Sequence, residues 1–516
     1  MVTSGSPFRR RLPVPGTILP PLTAAAVALA LCWSAMLPGV GFWDTAEFQT
    51  VPPILGTAHP TGYPTYVILG WLFNILLTPF GEPAFRMNLF AGLSVAVAAG
   101  LVALLVGRLS GRALVGTAAG IGLAASPLAW RIGTHAEPHA LHLALVGLLL
   151  LLLVLWEAGR RNGTASADRW LIAAAAAFGL AAGNHSLTLL LAPPIGIYVL
   201  AVNPGIVRRP RLVGACLLAL FGVLALVYLE LPIRAGLLRA PLVYGRPDTW
   251  EGFWYIAMAQ QFQGSVSSPV DDLGRKASEL AKLADQQLGV LALLLPAAFI
   301  VTLRRFPAYA LLTGLASLVT WLFSASYANA DISRYYLGPL LMAWTWLGIM
   351  AATAADILEA GVAAPPQRSA VAGRAVAATL AILMILPAAL AVPARHRQVD
   401  RSGDVGGGLW LDAALARIAH NAVVVSWWSY STPLWYAQFV EGRRPDMFVV
   451  DDRTRLDLDM GEATDVIATY LGKRPVFLIR ANEHDLRLVT QRFQVQAGTG
   501  AAGNIYEVIA PVNGGS

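Results

Sequence analysis

Two carboxylates three residues apart, in Gly41-Phe42-Trp43-Asp44-Thr45-Ala46-Glu47-Phe48, are the first groups in this sequence that could do acid–base chemistry. At the start of a helix that spacing puts Asp44 and Glu47 on one face. Such a pair serves as a general base or holds a cation. Asp44 is equally placed to cap a helix by accepting from the amides of Ala46 and Glu47. His59 follows in His59-Pro60-Thr61-Gly62-Tyr63-Pro64, fixed beside a glycine turn, and adds weight to a functional reading of the acids.

Four more clusters carry polar groups. In His135-Ala136-Glu137-Pro138-His139-Ala140-Leu141-His142, Pro138 places His135 before a helix on which His139 and His142 share a face. The order is not His-Glu-x-x-His, so an imidazole donating to a phosphate fits better than a metal ligand. Gly183-Asn184-His185-Ser186 reads as a tight turn in which Asn184 and Ser186 satisfy backbone groups, which makes its Asn-x-Ser sequon a poor acceptor. Beyond Leu231 lie Arg234, Arg239, Arg246, Asp248 and Glu251, and arginines there suit an anion. Asp331-Ile332-Ser333-Arg334-Tyr335-Tyr336 supplies Asp331 and Arg334, which pair with each other or offer the arginine to a phosphate.

The elements that must position these groups are membrane helices. Of 516 residues, 56% are hydrophobic and only 13% charged, with a mean hydropathy of +0.59. That balance excludes a disordered chain, a coiled coil and a small disulfide scaffold, and it is unlike an ordinary cytosolic enzyme. Cys32 and Cys216 both sit in apolar runs. Segments of about 20 residues, enough to cross a bilayer, are read at 17–37, 87–107, 112–130, 139–157, 170–183, 187–203, 212–231, 287–303, 307–323, 335–352 and 371–392. The first follows Arg9, Arg10 and Arg11 and reads as an uncleaved anchor. Val67 to Phe80, about 14 residues, suits an interfacial or re-entrant helix better than a span.

With the N-terminus cytoplasmic, the inner loops hold Arg108 and Arg112; Arg160, Arg161 and Arg169; Arg208, Arg209 and Arg211; Arg304 and Arg305; Arg368 and Arg374. That is the positive-inside pattern. The net charge of +7 and pI near 9.5 are therefore mostly topology, and no nucleic-acid partner is implied. About eleven crossings put the C-terminus outside. The expected architecture is a polytopic α-helical membrane domain over 1–392, with a first outer loop at 38–86 and a long one at 231–286. A small α/β extracytoplasmic domain follows over 393–516. Val423–Val425, Phe448–Val450 and Val476–Ile479 read as its buried strands. All five polar clusters fall on the outer face.

Trp43-Asp44-x-x-Glu47-Phe48, His59-Pro-Thr-Gly-Tyr-Pro64 and Arg86-x-Asn88-Leu89 closely resemble a membrane family of GT-C type that includes protein O-mannosyltransferases. The likeness continues through Gly183-Asn-His185, Tyr228 to Arg234, Pro247-Asp-Thr-Trp-Glu-Gly-Phe253, Trp427-Trp428 and Pro433-Leu-Trp-Tyr436, and so covers nearly the whole chain. It implies a glycosyltransferase of the cell (inner) membrane that takes a hexose, mannose favoured, from a polyprenyl-phosphate donor. The acceptor implied is a hydroxyl of a protein, serine or threonine favoured, or of a glycan, on the outer face. The acidic residue of the first outer loop, Asp44 or Glu47, would be the catalytic base. The family pattern near Glu137 is Ala-Glu-Val-Tyr, whereas this chain has Ala136-Glu137-Pro138-His139, which leaves the role of His139 open. Trp427-Trp428-Ser429-Tyr430 is weakly similar to the Trp-Trp-Asp-Tyr motif of oligosaccharyltransferases, with serine for aspartate; core packing at a strand end is the favoured account of the tryptophans.

The residues fit that chemistry directly. A hydroxyl attacking an anomeric carbon needs a proton acceptor, for which Asp44 or Glu47 serves. The departing phosphate needs donors, for which Arg234, His185 and Arg334 serve. His59, Tyr63 and Glu137 are suited to the sugar. No cofactor is required beyond the lipid-linked donor, and a divalent cation is left open. The alternative is a lipid or glycan transporter or flippase without catalysis, which would show repeated halves and broken helices at mid-membrane.

Overall fold

The computed structural model describes residues 18–265, 268, 271–328, 331–361, 366–480 and 483–512. Arg9, Arg10 and Arg11, with the first residue of the expected anchor, lie outside the described residues.

Proline stands at the first or second position of seven of the first ten helices, where its missing N–H costs nothing and its fixed φ is already helical. The first ten are α1 (Leu19–Ser34), α2 (Trp43–Ile54), α3 (Pro64–Leu76), α4 (Pro83–Ser110), α5 (Ala113–Ala124), α6 (Pro127–Ile132), α7 (Pro138–Arg161), α8 (Asp168–Asn184), α9 (Ala192–Val202) and α10 (Pro210–Tyr228). Seven helices among the described residues are long and apolar enough to cross a membrane: Pro83–Ser110, Pro138–Arg161, Pro210–Leu237, Leu273–Arg305, Pro307–Ser326, Ile332–Gly361 and Ala372–Val399. Leu19–Ser34, Pro64–Leu76, Ala113–Ala124 and Ser186–Val202 are apolar but shorter. The segment at 112–130 is broken between α5 and α6, where Pro127 cannot continue the helix before it. The long outer loop expected over 231–286 contains a helix, which begins at Leu273. Its first turns are charged, with Arg275 paired to Asp272 at 2.7 Å and to Glu279 at 2.6 Å, so hydropathy hides them.

Small residues let the first helices touch. A Cβ on Gly116 would lie 2.3 Å from the carbonyl oxygen of Ala103, and one on Gly120 would lie 2.2 Å from that of Ala99. Only glycine permits that approach of α5 to α4.

The last helix of the bundle, Pro366–Val399, leads into an α/β unit. Its sheet has the order β2-β1-β3-β5-β4. The three apolar runs read from the sequence are β1 (Val423–Val425), β2 (Phe448–Val450) and β3 (Val476–Ile479), which pair in parallel about β1. Two further strands extend the sheet: β5 (Ile505–Pro511) pairs antiparallel with β3, and β4 (Phe493–Ala497) pairs antiparallel with β5 at the edge. Glutamines interrupt the apolar residues of β4 and Glu507 those of β5, so no unbroken apolar run marked them. The unit clasps the start of α2: Phe42 meets Trp410 and Tyr430 edge-on, each at 5.7 Å, and Tyr436 accepts from the amide of Ala84 at 3.1 Å.

Candidate active site

A cavity of about 800 Å³ opens where the bundle meets the α/β unit. Its wall is drawn from α2, the 59–63 turn, the start of α7, His185 with the turn after it, the 244–263 stretch, the 327–335 stretch, and Trp428 with Asp451 to Arg453.

One side of it is acidic. The indole N–H of Trp428 donates to Asp44 Oδ1 at 2.9 Å. Glu47, one turn on, is buried with a relative exposure of 1% and does not line the cavity. Both its oxygens are engaged by His59, Oε1 accepting from the backbone amide at 2.7 Å and Oε2 lying 2.5 Å from Nδ1. Burial works against a charged imidazole, but the Glu47 carboxylate, helped by Asp44, outweighs it and pushes His59 up to about 9. His59 Nε2 faces the Tyr63 hydroxyl at 3.2 Å, and Tyr63 packs edge-on against Phe48 at 5.0 Å. Trp43 and Tyr63 hold φ of 58° and 50°, left-handed conformations that a bulky side chain keeps only where its surroundings impose them.

Buried amides set the position of α2. Gln49 accepts from Gly41 N at 2.9 Å and donates to Gly39 O and Asn88 Oδ1 at 3.0 and 2.9 Å. Asn88 in turn donates to Leu37 O and accepts from Ala136 N, both at 2.8 Å. Arg86 donates to Asn74 Oδ1 at 2.9 Å and to the carbonyls of Phe80 and Gly81 at 3.1 and 2.9 Å, closing the turn after α3.

The other side is cationic. Glu137 caps α7 and accepts from His139 N at 3.2 Å. Its Oε1 lies 2.7 Å from His139 Nδ1, and its Oε2 accepts from Arg334 at 2.9 Å. Burial alone would raise this carboxyl, but Arg334 and His139 hold it well below the usual carboxylate range. With Nδ1 turned to Glu137, the buried Nε2 of His139 has no hydrogen-bond partner among the described residues. The His185 ring lies 4.6 Å away. Its Nδ1 accepts from Leu187 N at 3.1 Å, which assigns its proton to Nε2.

The cavity thus gathers Asp44, His59, Tyr63, Glu137, His139, His185 and Arg334. Glu47, Asn184, Asp331 and Arg234 do not line it. Asn184 donates to Pro138 O at 3.0 Å, and Asp331 accepts from Arg131 at 3.0 Å and Ser333 at 2.6 Å. The expectation that Arg234 grips a phosphate is corrected. Its guanidinium donates to the carbonyls of Leu55 and Ile54, both at 2.8 Å, satisfying the end of α2. Sequence reasoning passed over Tyr244, Tyr255 and Arg453: the guanidinium lies 4.6 and 4.9 Å from the two ring centroids and pairs with Asp457. It quoted Trp428 without a role at the acid, since nothing local in the sequence ties that indole to Asp44.

Asp44, Glu47 and His59 place possible ligand atoms within 4.8 Å of one another. Carboxylate and imidazole donors suit a divalent cation, yet His59 already occupies both Glu47 oxygens. Binding an ion there requires that pair to open.

Residues 44–204 match the family model described as the protein O-mannosyl-transferase TMEM260 N-terminal domain. The protein O-mannosyl-transferase TMEM260 of mouse (Mus musculus) is 34% identical over 262 residues, covering 49% of this chain. The chain spans only 35% of that relative's length. Among solved structures, ArnT from Cupriavidus metallidurans bound to undecaprenyl phosphate aligns with a TM-score of 0.59 at 15% identity, over 94% of this chain and 97% of that one. The archaeal oligosaccharyltransferase AglB from Archaeoglobus fulgidus, in complex with an inhibitory peptide and a dolichol-phosphate, aligns at 0.52 and 14%, over 94% and 74%. The resemblance read from the motifs is matched by these findings. The chain is a multi-pass membrane protein with the GT-C fold of ArnT and AglB.

Proposed function

We propose that the chain is a glycosyltransferase that moves a hexose, mannose favoured, from a polyprenyl phosphate to a hydroxyl acceptor, a protein serine or threonine favoured. The observation that carries this reading is one cavity with a carboxylate on one side and Arg334, His139 and His185 on the other. Asp44 is the base rather than Glu47, because it lines the cavity while both Glu47 oxygens are held by His59. Asp44 takes the proton of the acceptor hydroxyl, whose oxygen bonds to the anomeric carbon as the bond from that carbon to the phosphate oxygen breaks. The phosphate departs with the electron pair. Arg334 and the Nε2–H of His185 stabilise the charge developing on it, and His139 Nε2 is left to accept from a sugar hydroxyl. Glu137 keeps Arg334 and His139 in place, while His59 and Tyr63 contact the sugar. Leu187, Leu189 and Leu190 line the same cavity, with Leu189 half exposed at 52%, and offer the lipid chain an apolar exit.

The names of the relatives support this: the mouse protein is called an O-mannosyl-transferase, ArnT was bound to a polyprenyl phosphate, and AglB to a dolichol-phosphate and a peptide. The seven long helices, with Leu19–Ser34, Ala113–Ala124, Asp168–Asn184 and Ser186–Val202, accommodate about eleven crossings, and Pro64–Leu76 is left as the re-entrant helix. The arginine distribution then puts the N-terminus in the cytoplasm, and the α/β unit and cavity outside the inner membrane. Within this reading 1–392 form the membrane domain and 393–516 the extracytoplasmic one. If a divalent cation takes part, Asp44, Glu47 and His59 would hold it and it would supply charge stabilisation.

The test is transfer by the purified protein from lipid-linked hexoses drawn from a membrane extract to a serine-containing peptide. Transfer that disappears in Asp44→Asn and persists in part in Glu47→Gln supports the reading. Full activity in both variants overturns it, and lipid translocation without transfer supports a flippase instead.

A further inference from the structure

Trp428 is the first residue of a helix in the α/β unit, Trp428–Trp435, yet its side chain ends at the cavity. Its indole N–H reaches Asp44 Oδ1 at 2.9 Å, across 384 positions of sequence. The ring is held edge-on by three others: Trp435 at 5.8 Å, Tyr244 at 6.0 Å and His59 at 6.1 Å. An indole donates and cannot accept, so it fixes a carboxylate oxygen without competing for the proton that the acid must take. Among the described residues Asp44 accepts no other side-chain hydrogen bond.

We infer that Trp428 is a positioning residue for sugar transfer: by fixing Oδ1 of Asp44 it holds the carboxylate in the one rotamer that turns Oδ2 toward the acceptor hydroxyl. The α/β unit is then part of the catalytic centre, since it supplies the group that aims the base. This inference rests on Asp44 being the base.

The test uses the full-length protein in lipid nanodiscs with polyprenyl-phosphate mannose and a serine-containing peptide. Trp428→Phe keeps an aromatic ring in the same place and removes the N–H along with the rest of the indole. It is expected to lower kcat by roughly tenfold to a hundredfold, the worth of a hydrogen bond to a charged group, with the KM for the donor unchanged. In an Asp44→Asn background the same substitution is expected to cost nothing further, because the group it acts through is gone. Losses that multiply in the double variant, or an unchanged kcat in Trp428→Phe, overturn the inference while leaving the functional reading intact. Wild-type protein that transfers no sugar overturns the functional reading and this inference with it. Should Trp428→Phe fail to fold, the indole N–H resonance of Trp428 in 15N-labelled protein takes its place: a shift on Asp44→Asn supports the inference, and an unmoved signal overturns it.

Discussion

α4 begins against the α/β unit and ends at Ser110, so its two ends sample opposite ends of the bundle. At the far end Arg112 donates to Asp356 at 3.0 and 2.7 Å and also meets Glu359, while Arg305 reaches Asp356 at 2.8 Å and Thr353 at 3.0 Å. At the near end Arg334 donates to Glu137 at 2.9 Å and stands 3.5 Å from Asp331. The residue types are the same and the use is opposite. The far cluster joins helices to one another and closes on itself. The near one lines a cavity and holds a buried imidazole nitrogen, that of His139, with no partner among the described residues. A polar group taken out of water without a partner is costly, and a fold that keeps one beside an open space has room for a ligand to complete it.

Substitutions break this contrast where it should be widest. Asp44→Asn is expected to reduce kcat by about 10²–10⁴-fold, the range for loss of a general base, with the donor KM little changed. Steady-state kinetics at varied donor concentration measures both. Arg334→Met should cost about 3–5 kcal/mol of stability by leaving Glu137 buried and uncompensated. Adding Glu137→Gln is expected to recover most of that stability and none of the transfer, which thermal unfolding beside the transfer assay would separate. The far cluster should answer differently. Arg112→Met is expected to cost about 1 kcal/mol, because its partners are partly solvated, and to leave kcat unchanged.

The smallest effect is one of pH. His59 binds its proton more tightly in the fold than in the unfolded chain, so its contribution to stability is complete below about 6.5 and is lost as pH rises through about 9. The unfolding midpoint should fall over that window, and Glu47→Gln should flatten the fall. A midpoint that is level from pH 7 to 10 in the parent protein would remove the His59–Glu47 pair from the account.

What the sequence made legible follows the same division. Asp44, His59 and Glu137 stood out because polar residues are scarce in so apolar a chain; Asp44 is followed three positions on by a second acid, and His59 and Glu137 each precede a proline that fixes the turn. Arg234 was misread for a physical reason: a cation between helices looks the same whether it meets a phosphate or the last carbonyls of a neighbouring helix. Glu47 and Asp44 were indistinguishable until burial separated them. The helix from Leu273 stayed hidden because its hydropathy is that of a loop, and the bond from Trp428 to Asp44 because pairing across the two domains leaves no local signal. Long apolar spans and the three valine- and phenylalanine-rich strands were plain, since burial on every side writes itself as an unbroken run.

Gln49 and Asn88 are both fully buried, and the joints they make between α2, α4 and the turn after α1 are amide to carbonyl throughout. None of these joints carries a proton that titrates or a charge that salt can screen. Acid, base and ionic strength therefore reach the groups lining the cavity but not the frame that carries them. The proton inventory of the site can change over many pH units while the place from which Asp44 points stays where it is.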